Sequence, residues 1–427
     1  MNHILDLPEL EREIADAPDF DAFEAALRKL TDLRQGFREP GVYGQKLYLK
    51  GLDDLIPTIT RGLSLPDVPG ERSNAQVVIL ATRFYRTGGH SQVAFDVARR
   101  LGPDAVTVIF TATDEGELSY RKLLGGPHRT EQLQERASLV LSSATLTERI
   151  LELYRLLLAL RPTRIILMSH PTDVVAVAGA WPFRAVTEFL HHADHVPALG
   201  ATLPFARHVD LTFTCHQACR AAGLAAEYAG QAAPAAADAA SERAPGKVLR
   251  LATCGSPHKY AGRRGHAWRD YAAAALRRPA AELIHIGTAD EAMRQDIRSA
   301  LEAAGVDPQR YVFAGVVPSL GRALVERDID VYLSSYPETG ARANLEAMAA
   351  GIPVVLPVAP DDEAPLTRFS LPLRRWIEAR TPDDLPAAID QALALSPSLR
   401  TPEAHAELRR ELARFDDYVA LRPLAPV

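Results

Sequence analysis

The chain has 427 residues, 47% hydrophobic and 24% charged, with 54 acidic residues against 48 basic ones for a net charge of −6. That length and balance supply two or three domains with full cores and exclude a largely disordered chain. The mild acidic excess, with no basic block, excludes a general nucleic-acid binder but leaves room for an anion in a locally basic pocket.

Residues 1–74 read as a helical extension. Met1 to Glu13 carry acidic groups early and no apolar core, so no secretory signal is expected. Asp19 is placed as an N-cap, and Phe20, Phe23, Leu27 and Leu30 follow at helical spacing. Pro66, Pro69 and Gly70 mark 62–74 as a linker. From Gln76 short β-rich runs alternate with helices, giving a first α/β domain over 75–228. Its expected strands are 77–80, 106–110, 137–141, 164–168, 185–190 and 209–214, with a Gly88-Gly89 turn and helices over about 91–101 and 145–160. Continuous apolar strands alternating with helices indicate a parallel sheet covered on both faces.

The stretch 229–246 holds nine alanines, two prolines and two glycines and reads as an interdomain linker. The alternation restarts over 247–400, with strands at 248–253, 282–286, 311–313, 329–333 and 352–356. Helices are expected at about 267–277, 319–326, 342–350 and 383–395, and another runs from an Asp290 cap to a Gly305 stop. A last helix, about 402–418 within the terminal segment 401–427, presents Leu408, Leu412 and Phe415 on one face. No apolar run reaches the roughly 18 residues of a membrane helix, so no membrane span is expected.

Two doubly wound α/β domains joined by a linker create a cleft, and in such sheets ligands bind at the carboxyl ends of the strands. No G-x-G-x-x-G follows a strand, which argues against a nicotinamide or flavin dehydrogenase, and no G-x-x-x-x-G-K-[ST] marks a P-loop. The informative segment is 329–356: a strand, the turn Ser334-Ser335-Tyr336-Pro337-Glu338-Thr339-Gly340-Ala341, a helix and a strand. Seven residues separate Glu338, in the turn, from Glu346, in the second turn of the helix, so both carboxylates can face one crevice. Between them lie the backbone amides of a helix N-terminus, which bind phosphate well. Gly340 lets the backbone approach a ligand closely. Carboxylates at both ends of a phosphate-binding turn suit a diphosphate with hydroxyls on either side, which is a nucleotide sugar.

The stretch 335–355, with Glu338, Glu346-Ala347-Met348-Ala349 and Gly351-Ile352-Pro353-Val354-Val355, resembles the donor-site signature of GT-B glycosyltransferases, most of all the family 4-type enzymes with an E-x7-E motif. That family usually has Glu-Gly-Phe-Gly where this chain has Glu338-Thr339-Gly340-Ala341. The resemblance implies a GT-B fold: two Rossmann-like domains facing a cleft, here behind an N-terminal helical extension. It implies Glu338 on the transferred sugar and Glu346 on the ribose. Thr339, Gly340, Ala341 and Asn344 would line the donor, with Arg342 as a cation for the diphosphate. It also implies a phosphate-neutralising lysine at Lys259, after the first strand of the second domain. The arginine that commonly precedes that lysine is absent, although Arg263 and Arg264 are near. Gly88-Gly89-His90 matches the family's Gly-Gly turn, which faces the donor phosphate or the acceptor. The terminal helix is expected to pack back on the first domain.

His191-His192-Ala193-Asp194-His195 follows an apolar strand and lies at its carboxyl end. Three imidazoles and a carboxylate offer an acid/base group or a metal site. In the resembled family a histidine from this region approaches the donor sugar, which favours His195 oriented by Asp194, with His192 as another base. His170, after the strand at 164–168, is a second cleft candidate. The three cysteines, Cys215, Cys219 and Cys254, are too few for a disulfide framework. Cys215 and Cys219 stand four apart with His216 between them, half of a metal site by spacing. No second half is visible in the sequence, so reduced thiols, no metal and a cytoplasmic location are expected.

The implied function is transfer of a hexosyl or related sugar from a nucleotide diphosphate sugar to an acceptor, which is a glycan, lipid-linked sugar, protein or small molecule. No cofactor, metal or nucleic acid enters. The carboxylate pair implies retaining chemistry; an inverting route would use His195 or His192 as base. The alternatives are a nucleotide-sugar 2-epimerase of the same two-domain fold and a non-catalytic sugar-binding protein.

Overall fold

The computed structural model describes residues 7–33, 42, 44–69, 74–84, 89–102, 104–113, 137–192, 196–232, 248–261, 265–358, 369–373 and 375–424. They divide into two units, Met1–Gly230 with Phe415–Val427, and Gln231–Arg414.

The first unit opens with helices α1 (Leu7–Ala15), α2 (Phe20–Asp32), α3 (Lys50–Asp53) and α4 (Leu55–Gly62). Asp19 caps α2 by accepting the Ala22 amide at 2.9 Å. Its sheet is built from β1 (Asn74–Ala81), β2 (Val106–Phe110), β3 (Ala137–Val140), β4 (Pro162–Leu167), β5 (Thr187–His191), β6 (Arg207–Asp210) and β7 (Ala226–Tyr228). The order is β3-β2-β1-β4-β5-β6-β7, all parallel, so the winding reverses between β1 and β4. Helices α5 (Gly89–Leu101), α6 (Leu146–Leu160), α7 (Val174–Ala180) and α8 (Phe213–Ala221) complete it.

The expected strand at 209–214 ends at Asp210 instead. Thr212 turns the chain by accepting the Cys215 amide, and Phe213 begins α8. The expected strand at 185–190 begins at Thr187, after a 3-10 stretch over Trp181–Val186. The N-terminal helices share the core of the sheet domain: Leu10, Ile14, Leu27, Ile56 and Ile59 belong to one buried cluster with Ile150, Leu153, Val177 and Ile165. Two buried carboxylates fasten them further. Glu24 of α2 accepts the amides of Leu146 and Thr147 at 3.0 and 2.9 Å, which satisfies the start of α6. Asp53 accepts the Gly200 and Thr202 amides at 2.5 and 2.8 Å.

The second unit contains β8 (Leu249–Cys254), β9 (Ala281–Ile286), β10 (Tyr311–Gly315), β11 (Val331–Leu333), β12 (Val354–Pro357) and β13 (Trp376–Ala379) in the order β10-β9-β8-β11-β12-β13, again all parallel. Its winding reverses between β8 and β11. Helices α9 (Trp268–Leu276), α10 (Glu291–Ala303), α11 (Leu320–Glu326), α12 (Ala341–Ala349) and α13 (Leu385–Leu399) cover the sheet. The last helix, α14 (Pro402–Val419), begins in this unit, and its residues from Phe415 onward belong to the first. There Arg164, 5% exposed, forms a two-bond pair with Glu188 at 2.9 and 2.8 Å and donates to the Val419 carbonyl at 2.9 Å. Its guanidinium also lies over the Tyr418 ring. Among the described residues no helix is long and apolar enough to cross a membrane.

Candidate functional site

In doubly wound sheets the strand order reverses at a point where the following loops diverge, opening a crevice at the carboxyl ends. In the second unit that point lies between β8 and β11. The loop after β8 carries Lys259, and the loop after β11 carries Glu338 and leads into α12. The two loops are joined: the Glu338 amide donates to the Lys259 carbonyl at 3.3 Å, and the Ser335 hydroxyl donates to the Glu338 carbonyl at 2.7 Å. Gly340 stands at the N-cap of α12, and no side chain caps that helix. A Cβ at Gly340 would lie 3.1 Å from Lys259 Nζ, so the ammonium sits against the amino end of the helix. Positive charge and helix amides therefore converge on one spot.

Glu346, half-buried on α12, receives Arg342 Nε at 3.0 Å and the Gly321 amide at 3.3 Å. Arg342 also donates to the Ala232 carbonyl at 2.9 Å, so its guanidinium fixes the Glu346 carboxylate. Thr339 is half-buried, as are Glu338 and Ala341. Asn344 is fully buried, and neither its amide oxygen nor its amide nitrogen has a protein hydrogen-bond partner. Burial pushes the Cys254 thiol up to about 11, with Lys259 pulling it down and Glu346 pushing it up, so all three groups share the end of β8.

Three residues of this region were not singled out from the sequence: Gly255, Gly287 and His285. Gly287 has φ +137°, and a Cβ there would lie 2.1 Å from the Gly255 carbonyl oxygen. A glycine directly after an apolar strand was the available signal. Arg263 and Arg264 lie outside the described residues.

In the first unit the reversal lies between β1 and β4. His90 on α5, His170 after β4 and His192 after β5 gather there. The His90 and His192 rings are 4.3 Å apart, and those of His90 and His170 are 6.0 Å apart. His90 Nε2 lies 2.6 Å from the Met168 carbonyl, so that nitrogen carries the proton. Burial holds His90 down to about 4, assisted by His170. Burial and the neighbouring His90 hold His192 well below its usual value. Both rings are therefore held neutral at pH 7. Buried Asp173 ties the strand ends beneath them, accepting the Thr82 hydroxyl at 2.5 Å, the Thr111 hydroxyl and the Ala176 amide at 3.0 Å. Gly89 is the first residue of α5. Gly88, Asp194 and His195 lie outside the described residues.

The cysteine pair has the company that the sequence did not reveal. Cys215 and Cys219 lie beside His191, His208 and Asp210, on two strands that precede them in the chain.

No family model matches the chain, and no curated protein matches it. Solved structures do. The lipopolysaccharide outer core galactosyltransferase WaaB in its apo form matches with a TM-score of 0.57 and 13% identity, over 81% of this chain and 99% of that one. HepE of Anabaena in complex with UDP-glucose matches with a TM-score of 0.56 and 12% identity, over 81% and 98%. A glycosyltransferase from Rickettsia africae matches with a TM-score of 0.54 and 10% identity, over 81% and 94%. At such identities the likeness is one of fold: the chain has the GT-B fold of two parallel-sheet α/β units.

Proposed function

We propose that the chain is a glycosyltransferase whose second unit binds a nucleoside diphosphate sugar and whose first unit binds the acceptor. The observation that carries this is the Lys259 ammonium against the amino end of α12, at the strand-order reversal of the second sheet. An ammonium and the amides of a helix N-terminus suit a diphosphate, both in the bound donor and as the leaving anion. Glu346, fixed by Arg342, takes the ribose hydroxyls. Glu338, on the other side of the anion spot, takes the hydroxyls of the transferred sugar, with Thr339, Gly340 and Ala341 forming the floor and Asn344 buried behind them. The HepE structure holds UDP-glucose, a ligand of the proposed class.

In this reading the diphosphate leaves without a divalent metal, because Lys259 and the helix amides supply the positive field. The sugar is transferred with retention: the acceptor attacks from the face the phosphate leaves, and the phosphate takes the acceptor proton. His90, His170 and His192, with His195 and Asp194 beyond them in the chain, contact the acceptor or sugar.

Calorimetric titration of nucleoside diphosphates, with and without added Mg²⁺ or Mn²⁺, tests the reading. Binding of one base, equal in both conditions, is expected. A ligand at 100 times its dissociation constant then stabilises the protein by about 2.7 kcal/mol. Failure of every nucleoside diphosphate to bind overturns the donor site, and donor turnover without any acceptor turns the reading toward epimerisation.

A further inference from the structure

We propose that His191, His208, Asp210 and Cys219 form a closed, four-ligand zinc site within the first unit, separate from the sugar-transfer residues. His191 is the last residue of β5 and pairs in register with Asp210 on β6. His208 precedes Asp210 by two positions, so the two share one face of the strand. Cys215 and Cys219, four apart on α8, share one face of that helix. Thr212 sets the helix directly after β6, which brings its cysteine face over the two strands. The chain order is therefore a lone histidine, then His-x-Asp-x4-Cys-x3-Cys.

The donor atoms of the four residues all lie within 4.8 Å of one another. His191 Nδ1 is 3.2 Å from Asp210 Oδ1 and 3.6 Å from Cys219 Sγ, and His208 Nε2 is 3.1 Å from the same Asp210 oxygen. Zinc bound at about 2.0 Å by nitrogen or oxygen and about 2.3 Å by sulfur holds tetrahedral ligands roughly 3.3–3.8 Å apart. Those three distances are within a few tenths of an ångström of that spacing, and the remaining pairs, within 4.8 Å, would close in by up to about an ångström on metal binding.

Proton placement points the same way. His208 Nδ1 lies 2.9 Å from the Ala201 carbonyl, which only accepts, so Nδ1 carries the proton. A neutral His208 then aims its Nε2 lone pair at the Asp210 carboxylate. A backbone carbonyl that fixes the outer nitrogen of an imidazole is the usual support of a metal-binding histidine. His191 Nδ1 faces the same point, ringed by Asp210 Oδ1, Cys215 Sγ at 3.2 Å and Cys219 Sγ, while its Nε2 is buried without a hydrogen bond. The ion-pair partners of Asp210 are imidazoles, and its Oδ2 is buried without a hydrogen bond. In the metal-free protein a proton bridges each of these imidazole–carboxylate contacts, and one dication at their common point takes the place of those protons. Two nitrogens, an oxygen and a thiolate are a donor set that zinc accepts.

Cys215 Sγ, 3.4 Å from Asp210 Oδ1, keeps its proton and donates to the carboxylate as an outer support. His191, Asp210 and Cys219 are buried, so no coordination position opens to substrate, which makes the site structural. It pins the end of β5, from which His192 projects toward His90.

The test uses the full chain purified without a metal-affinity step. Elemental analysis is expected to find about one zinc per chain. Exchange with Co²⁺ is expected to give intense visible bands of a tetrahedral site and a thiolate-to-cobalt band in the near ultraviolet. Cys219→Ser should lose the thiolate band, whereas Cys215→Ser should keep it. Should Cys219→Ser fail to fold, the cobalt spectrum of the wild-type protein decides alone. A metal-free protein that gives no cobalt spectrum, and whose melting is unchanged by zinc, overturns the proposal in favour of a proton-sharing network. A thiolate band that survives in Cys219→Ser overturns the ligand assignment.

Discussion

The Lys259 ammonium lies so close to Gly340 that a Cβ on that residue would come within 3.1 Å of Nζ. The backbone at Gly340 has φ −101°, open to any residue, so glycine is needed there for space and not for conformation. Gly340→Ala should therefore melt like the wild type, because the clashing atom is the end of a flexible side chain. It should nonetheless weaken nucleoside diphosphate binding by displacing the ammonium. Lys259→Gln removes a charged hydrogen-bond donor worth roughly 1.5–3 kcal/mol, so affinity should fall about tenfold or more. Wild-type affinity in both variants, measured by calorimetry, would remove Lys259 from the diphosphate site.

The two glutamates divide binding from transfer. Glu346→Gln loses the charge that Arg342 holds at 3.0 Å and should weaken even a bare nucleoside diphosphate by about tenfold. Glu338→Gln should leave that affinity alone and lower donor turnover by about tenfold or more. Both variants should fold, since both carboxylates are only partly buried. If the two substitutions affect affinity and turnover alike, the separate ribose and sugar roles are wrong.

Gly287 and Gly305 both have positive φ, +137° and +69°, but they sit in different surroundings. A Cβ at Gly287 meets the Gly255 backbone at 2.1 Å, whereas at Gly305 nothing lies within 4 Å. Gly305→Ala should cost only the left-handed backbone penalty, about 1–2 kcal/mol. Gly287→Ala must push the β8 loop aside, so it should cost clearly more and also weaken nucleoside diphosphate binding, because that loop carries Lys259. Equal melting of the two variants would show that the Gly255 contact is soft.

The sequence was most legible where local signals and fold agree. Periodic apolar runs placed most strands of both sheets, and Asp19 and Asp290 marked helix starts that the structure shows capped. Strands β7 and β13 escaped because each is short and carries a glutamate, Glu227 and Glu378, so neither reads as an apolar run. The N-terminal helices looked detachable because Glu24 and Asp53 act through partners more than a hundred residues away. The histidine and cysteine cluster was hidden for a similar reason. His191 and Asp210 become neighbours only through strand register, and the half-site Cys215-x3-Cys219 looks solitary until β5 and β6 are side by side.

His285 offers a pH test that reaches the same loop. It is fully buried, with Nε2 3.2 Å from the Gly255 carbonyl and Nδ1 3.1 Å from the Tyr311 hydroxyl. The carbonyl accepts, so Nε2 carries the proton and Nδ1 accepts from Tyr311. Trp268 Nε1 in turn donates to the Tyr311 oxygen at 3.0 Å, completing a chain that a neutral ring satisfies. Burial holds this imidazole down to about 4 from its usual 6.5, with Arg294 assisting and the Gly255 and Thr288 carbonyls opposing. Between those two values the unfolded chain binds more protons than the folded one. This residue's stabilising contribution is thus complete above pH 6.5 and is lost as pH falls toward 4 and below. His285→Gln removes the titration while keeping one hydrogen-bonding group. The variant should be less stable than wild type at pH 7.5, and the gap should narrow below pH 6.5 by up to about 1.4 kcal/mol per pH unit. Because each protein is compared with the other at the same pH, the remaining titrating groups cancel. Paired denaturant melts from pH 7.5 to 4.5 measure the gap, and a gap that stays constant would show that His285 is not held neutral by its buried partners.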